Sequence, residues 1–328
     1  MTPTSASALI SCPAREPSWA PPTDAPTRPG TDIGSLAHQA IEQWLVSGDW
    51  QCRGAQDALT KRFIALARPD QANTARARLV VSRLRARADE LGSFLETWEN
   101  PRVRIEQVFM DRQRGLWGRA DILITSQDRI GLIEVKTGEH ESAGTTLNEH
   151  EIRQVLFYAH LMARDAGRVP DVARLFSLKR GLIEVPVTEE KVARVIEEAV
   201  RARDRWVAGN REERPAPEVC KFCPRRLHCS PSWDALPSWP NRDGVEGVVH
   251  RLDEAASGRV SLVVRGDSAT VVISGLVRKQ IGRAQVGDRV RVLGLQRSPG
   301  RRGYESFAAR SDAQLLVVQR RLEVEKWA

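Results

Sequence analysis

The segment Gly118-Arg119-Ala120-Asp121-Ile122-Leu123-Ile124 is followed by Ile133-Glu134-Val135-Lys136-Thr137-Gly138, which places a glutamate 13 positions after Asp121. On a strand, residues i and i+2 share a face, so Glu134 and Lys136 point the same way while Val135 points into the core. Two carboxylates brought together on adjacent strands make a hard-oxygen site suited to Mg²⁺ or Mn²⁺. Beside them, Lys136 is placed to stabilise a pentacovalent phosphorane or to help deprotonate an attacking water. An E-x-K triplet alone carries little information, since a polar-faced strand pair with a surface salt bridge gives the same letters. An upstream Asp at this distance, inside apolar strands, is what gives the pattern weight.

Around this pair the chain reads as a mixed α/β domain. Three strand-like segments, 103–111, 118–125 and 129–137, are separated by charged or glycine-containing turns. A helix over 148–166 follows, then a strand pair across 172–187 that turns at Lys179-Arg180-Gly181. Thr188 is placed as the N-cap of a helix to residue 208, with Glu189 and Glu190 in its first turn. Upstream, apolar positions at Ile33, Leu36, Ala37, Ala40, Ile41, Trp44 and Leu45 predict one helix. A second, over 74–98, carries a basic outer face with Arg76, Arg78, Arg83, Arg85 and Arg87. Residues 1–32, rich in Pro, Thr, Ser and Ala, read as an irregular lead-in.

Residues 1–230 form the first domain on this reading, 231–243 a linker, and 244–328 a second domain. In the second, short β-branched runs at 245–250, 260–265, 269–274, 289–295, 304–309 and 314–319 predict a small all-β barrel or sandwich. The turn-then-strand chemistry of 286–294 resembles the corresponding strand of OB-fold domains.

The chain has 328 residues and a net charge of +8. Residues 244–328 hold 15 Lys and Arg against 9 Asp and Glu, so most of the excess is at the C-terminal end. That polarity is expected of a surface that meets a polyanion. Arg283, Arg289, Arg291, Arg297, Arg301 and Arg302 are its candidate phosphate contacts. Only Tyr304 and Phe307 precede the terminal Trp327 as aromatics there, so base stacking is sparse and backbone contacts dominate. A protein-docking role for this domain is the competing view. No apolar run approaches the ~20 residues needed to cross a bilayer, and no secretory leader is read, so a cytoplasmic protein without membrane contact is expected.

Two further residue sets extend the site. Gln154 and Tyr158 are spaced i, i+4 on one helix face. His38 lies in Gly34-Ser35-Leu36-Ala37-His38, within the first amphipathic helix. Together, G-x-x-x-H, G-x-x-D, E-x-K and Q-x-x-x-Y, in that order, resemble the PD-(D/E)XK nuclease superfamily in its RecB-like branch. The resemblance covers roughly residues 5–230, and it departs from the superfamily's name only in having Ala120 where that name has Pro. It implies a restriction-endonuclease-like α/β core, with His38, Asp121, Glu134 and the Val135 carbonyl holding Mg²⁺ or Mn²⁺. It further implies a catalytic Lys136, with Gln154 and Tyr158 positioning the lysine or the substrate strand, and Glu106 as an accessory acidic residue.

The cysteines carry a separate signal. Cys220, Cys223 and Cys229 form C-x₂-C-x₅-C, one ligand short of a four-thiolate site, with Cys12 or Cys52 available as the fourth. An early cysteine joined to such a late trio is similar to the iron–sulfur nucleases of CRISPR adaptation and of AddB type. That likeness implies a structural 4Fe–4S cluster on Cys12, Cys220, Cys223 and Cys229, with zinc on the same thiolates as the alternative and Cys52 as a spare thiol. The function expected is a metal-dependent nuclease acting on DNA, in repair, recombination or anti-phage defence. The alternatives are a non-catalytic DNA-binding or scaffold protein that keeps the fold, and an RNA-directed defence nuclease. The chain has no G-x-x-x-x-G-K-[ST] phosphate loop, so any helicase or ATPase motor would be a separate partner.

Overall fold

In the computed structural model, residues 1–15, 32–137, 147–221, 223–266, 269–299 and 304–319 are described. Two compact units divide the chain, Met1–Arg211 and Glu212–Ala328. The first begins with helices α1 (Pro3–Ser11), α2 (Ile33–Val46), α3 (Ala55–Leu66), α4 (Pro69–Ala72) and α5 (Ala75–Glu96). Strands β1 (Arg102–Asp111), β2 (Leu116–Ser126) and β3 (Arg129–Lys136) follow. Then come α6 (Glu149–Ala166), β4 (Val172–Ser177), β5 (Gly181–Glu184) and α7 (Glu189–Val207). The sheet order is β1-β2-β3-β4-β5, with β3 and β4 parallel and the other neighbours antiparallel.

This sheet is covered on both faces, as its near-continuous apolar strands require. One face carries Leu123, Leu132, Ala173 and Leu175 into a core shared with α1, α6 and α7. The other carries Ile122, Ile124, Ile133, Val135 and Phe176 against α2, α3 and α5. The strict alternation of a flat strand is broken at one place. Ala120 and Leu123 join the same core while Ile122 joins the opposite one, so β2 changes face around Asp121. On β1, Val103 and Ile105 pack on the α2 side and Phe109 on the α6 side. Glu106, between the paired residues Ile105↔Ile122 and Gln107↔Ala120, has φ +52°.

The predicted first-unit strands and helices appear with ends shifted by a few residues at most. Two corrections apply. The lead-in is not irregular throughout: Pro3–Ser11 is a helix, capped by the Thr2 side chain, and it buries Ala6 and Leu9. Helix α3, which the sequence reading lacks, buries Leu59 and Phe63.

The second unit holds α8 (Pro217–Cys220), α9 (Ser230–Ala235), β6 (Gly244–Glu254), β7 (Arg259–Arg265), β8 (Thr270–Val277), α10 (Arg278–Ile281), β9 (Arg289–Ser298) and β10 (Glu305–Gln319). The five strands close into a barrel in the order β10-β8-β7-β6-β9 around Val260, Leu262, Ile273, Val290, Val292 and Phe307. The last two of the six expected runs are one strand, β10, interrupted by a register shift between Ala309 and Gln314. Gly294 faces that irregularity with φ +78°, and a Cβ there would meet the Ala313 Cα at 2.7 Å. The stretch 231–243, expected as a linker, contains most of α9 and the short turn Leu236–Ser238, with Trp233 and Leu236 buried.

Candidate metal and catalytic site

Helix α2 starts at Asp32, whose carboxylate accepts from the Gly34 and Ser35 amides at 2.9 and 3.2 Å. A Cβ at Gly34 would lie 3.4 Å from the Thr137 hydroxyl, so the bare glycine lets the first turn of α2 approach the end of β3. One turn on, His38 projects toward β1 and β2. Its Nε2 is 3.2 Å from Glu42 Oε1, 3.6 Å from Asp121 Oδ1 and 3.8 Å from Glu106 Oε1. Glu106 is also paired with Arg119.

Asp121 and Glu134 are among the few charged residues in the core, at 8% and 3% exposure. Asp121 Oδ2 accepts from the Val135 amide at 2.7 Å. Glu134 Oε1 accepts from Lys136 Nζ at 2.8 Å, and the same ammonium donates to Gln154 Oε1 at 2.7 Å. Tyr158, buried one turn after Gln154, shares a hydrogen bond with its side chain. The strand passes beneath this tyrosine at Gly118, where a Cβ would come within 2.8 Å of Tyr158 Cε1 and 3.1 Å of Pro3 Cδ. The glycine of G-x-x-D is therefore a close-approach residue between β2, α6 and α1.

Burial sets the electrostatics. It pushes Asp121 up to about 7, against the Val135 amide that favours the carboxylate. It pushes Glu134 up to about 8, helped by the charge of Asp121. Glu42 is raised to about 8 by burial and by Glu106 beside it. His38 is lowered, chiefly by burial, so its imidazole is held neutral. Burial also opposes the charge on Lys136, but Glu134 and Asp121 outweigh it and its net shift is upward.

His38, Glu106, Asp121, Glu134, Val135, Lys136, Gln154 and Tyr158 thus stand together at one place in the first unit. Glu42 and Arg119 belong to the same cluster and are missing from the sequence reading. Glu42 was findable as the i+4 neighbour of His38 on the same helix face. Two side-chain atoms there are buried without a hydrogen-bond partner, His38 Nε2 and Glu134 Oε2. One nitrogen and several carboxylate oxygens, two of these atoms desolvated and unsatisfied, fit a hard divalent cation.

The other expected sites fare differently. Cys220 and Cys223 lie on successive turns, with Cys223 donating its amide to the Cys220 carbonyl at 3.0 Å, and Cys229 follows a further turn. None of the five cysteines is in a disulfide. Among the described residues the cysteines form no tight ligand group; the group that does form is His38, Glu42 and Glu106. In the barrel, Arg289 and Arg291 both donate to Glu246, at 2.8 Å each, and Arg291 is buried. Phe307 is buried too, so of the two aromatics only Tyr304 is exposed. Arg283 and Arg297 are exposed. Arg301 and Arg302 lie outside the described residues.

A family model of the PD-(D/E)XK nuclease superfamily matches residues 1–230. No curated protein matches the chain. Among solved structures, the replication factor A related protein from Methanobacterium thermoautotrophicum is 14% identical, over 23% of this chain and 79% of its own, at a TM-score of 0.20. The tetrameric p202 HIN2 is 10% identical over 68% of this chain and 94% of its own, TM-score 0.21. A murine DNA binding protein bound with double-stranded DNA is 13% identical over 68% and 98%, TM-score 0.21. At these scores the likenesses establish neither fold nor function. No helix among the described residues is long and apolar enough to cross a membrane.

Proposed function

The chain belongs to the PD-(D/E)XK nuclease superfamily, and from that premise we propose that it is a Mg²⁺- or Mn²⁺-dependent phosphodiester hydrolase of the RecB-like branch acting on DNA. One observation carries the reading: His38, Asp121 and Glu134 converge with unsatisfied buried atoms, and Lys136 is fixed between Glu134 and Gln154. His38, Asp121, Glu134 and the Val135 carbonyl would hold the cation. When bound, such a cation polarises a phosphoryl oxygen and lowers the pKa of a coordinated water.

The chain's own groups supply the rest. Neutral His38 keeps a lone pair at Nε2 for a cation. The Val135 amide holds the Asp121 carboxylate in one orientation. An ammonium has three N–H donors, and two of those on Lys136 go to Glu134 and Gln154. The third is left for a phosphate oxygen. The upward shift of Lys136 supports its role as a fixed positive charge on the developing phosphorane, rather than as a base. Gln154 orients the ammonium, and Tyr158 in turn orients Gln154.

Digestion of single- and double-stranded DNA and of RNA, with Mg²⁺, Mn²⁺ or EDTA, tests the reading. Cleavage of DNA that needs the cation, and that Lys136→Ala and Asp121→Ala each abolish in folded protein, is expected. Wild-type rates in both variants would show the site to be elsewhere, and inactive wild type that still binds DNA would make the chain a scaffold. The barrel's closed order, with α10 between β8 and β9 and parallel pairing of β8 with β10, supports an OB-like domain serving the same substrate. For the cysteines, the C-x₂-C-x₅-C spacing supports a four-thiolate site completed by Cys12 and filled by 4Fe–4S. Brown protein with about four irons per chain is expected after anaerobic purification. Colourless protein carrying one zinc would replace the cluster with a zinc site.

A further inference from the structure

Four carboxylates line the site, and they are not arranged alike. Three of them, Glu42, Glu106 and Asp121, converge on a single atom, His38 Nε2, at 3.2, 3.8 and 3.6 Å. Ligands on neighbouring corners of an octahedral Mg²⁺ shell lie ~3 Å apart, because each is ~2.1 Å from the ion. The distances around Nε2 are those edges, slightly opened. Nε2 accepts or donates one hydrogen bond at most, yet it has no partner while three carboxylates face it.

Charge gives a second, independent argument. When ionised, Glu42, Glu106, Asp121 and Glu134 carry four negative charges, faced among the described residues by Arg119, Lys136 and the imidazole of His38. With His38 neutral, that ionised set leaves two negative charges, the complement of one divalent ion. Glu134 supports the same conclusion from the other side. It is 97% buried, its Oε2 has no hydrogen-bond partner, and it acts electrostatically on both Asp121 and His38. A local helical His–Glu pair would account for the contact of Glu42 with His38. It would not account for Glu106 and Asp121 on the same nitrogen.

We propose that Glu42, one helical turn after His38, is itself a ligand of the divalent cation, completing with Glu106 the shell begun by His38 and Asp121. This rests on the nuclease reading and deepens it: α2 supplies two ligands to the ion rather than one, and a carboxylate outside the E-x-K pattern fixes its affinity.

Mn²⁺ binding to the full chain, read by electron paramagnetic resonance of the free ion, tests it without reference to cleavage. Glu42→Gln is expected to weaken Mn²⁺ binding about tenfold or more, the scale seen for residues that support metal sites. The same variant should melt higher than wild type in EDTA, because it removes one of the crowded carboxylates. A helix-stabilising role would lower that melting temperature and leave Mn²⁺ affinity unchanged, and this outcome overturns the proposal. Asp121→Asn separates the two failures. If it weakens Mn²⁺ binding while Glu42→Gln does not, the nuclease reading stands and Glu42 is no ligand. If wild type binds no Mn²⁺, both fall.

Discussion

At the scale of single residues, the site is assembled from groups placed where they are poorly tolerated. Glu106 takes a left-handed backbone conformation inside a strand, which costs on the order of 1–3 kcal/mol. Asp121 and Glu134 are carboxyls in the core whose ordinary pKa values are ~3.9 and ~4.3, pushed up here to about 7 and about 8. The direction of the resulting pH dependence is fixed. Between pH ~4 and ~8 the folded, metal-free protein holds protons that the unfolded chain has released, so its stability falls as pH rises. Below ~4 both states are protonated and the loss is absent. A bound cation takes the place of those protons, so its stabilisation grows over the same window. Melting curves from pH 5 to 8.5, with Mn²⁺ and with EDTA, should therefore diverge as pH rises. Asp121→Asn should flatten the EDTA curve, and parallel wild-type curves would show that these carboxyls do not titrate with the ion.

At the scale of elements, much of the site was legible because it follows periodicity. Glu134 and Lys136 share a strand face, and Gln154 and Tyr158 a helix face, by spacing alone. The structure joins these two faces through Lys136 Nζ. What was not legible depends on departures from periodicity or on tertiary packing. The change of face at Asp121 and Glu106 leaves no mark in a pattern of apolar letters. Helix α1 hides in a proline- and serine-rich stretch because its apolar face is short and built mostly of small residues, Ala6, Ala8 and Leu9 with Met1 before them and Ile10 partly buried. It is held instead by α6, where Ser7 bonds His150 at 2.8 Å and Ser11 accepts from Arg153 at 3.3 Å. The glycine of G-x-x-D reads in sequence as the start of a strand and proves to be clearance for Tyr158. Gly118→Ala should therefore cost ~1–3 kcal/mol by overpacking and lower kcat by displacing Tyr158 and Gln154. Denaturant unfolding together with steady-state rates measures both. Unchanged rates would mean that the tyrosine does not position the lysine.

At the scale of the whole molecule, each of the two units has its own core, and the charge of the second has to be reread. Most of the net charge lies in residues 244–328, which by count alone predicts up to six phosphate contacts. Structure lowers that number. Arg289 and Arg291 are held by Glu246, whose carboxyl is drawn below its usual range by these two arginines despite burial that works against it. Arg291 also donates to the Leu227 carbonyl and to Ser230 at 3.4 Å each, and stacks over Trp233. Its charge is thus part of the scaffold that fastens the cysteine-bearing turns to β9. Arg283 and Arg297 remain as described, exposed candidates; the pair from Arg297 to Glu305, at 3.5 Å and 75% side-chain exposure, is of the weak surface kind. If both meet phosphate, replacing them with Gln should lower the log–log salt slope of DNA binding by roughly 1.4 on single strands and 1.8 on duplex, at ~0.7 and ~0.9 per contact. Replacing Arg289 and Arg291 should instead lower the melting temperature of the second unit. A slope that falls with Arg289 and Arg291 rather than with Arg283 and Arg297 would place the phosphates on the Glu246 side of the barrel. A slope indifferent to all four would turn this domain from nucleic acid toward a protein partner.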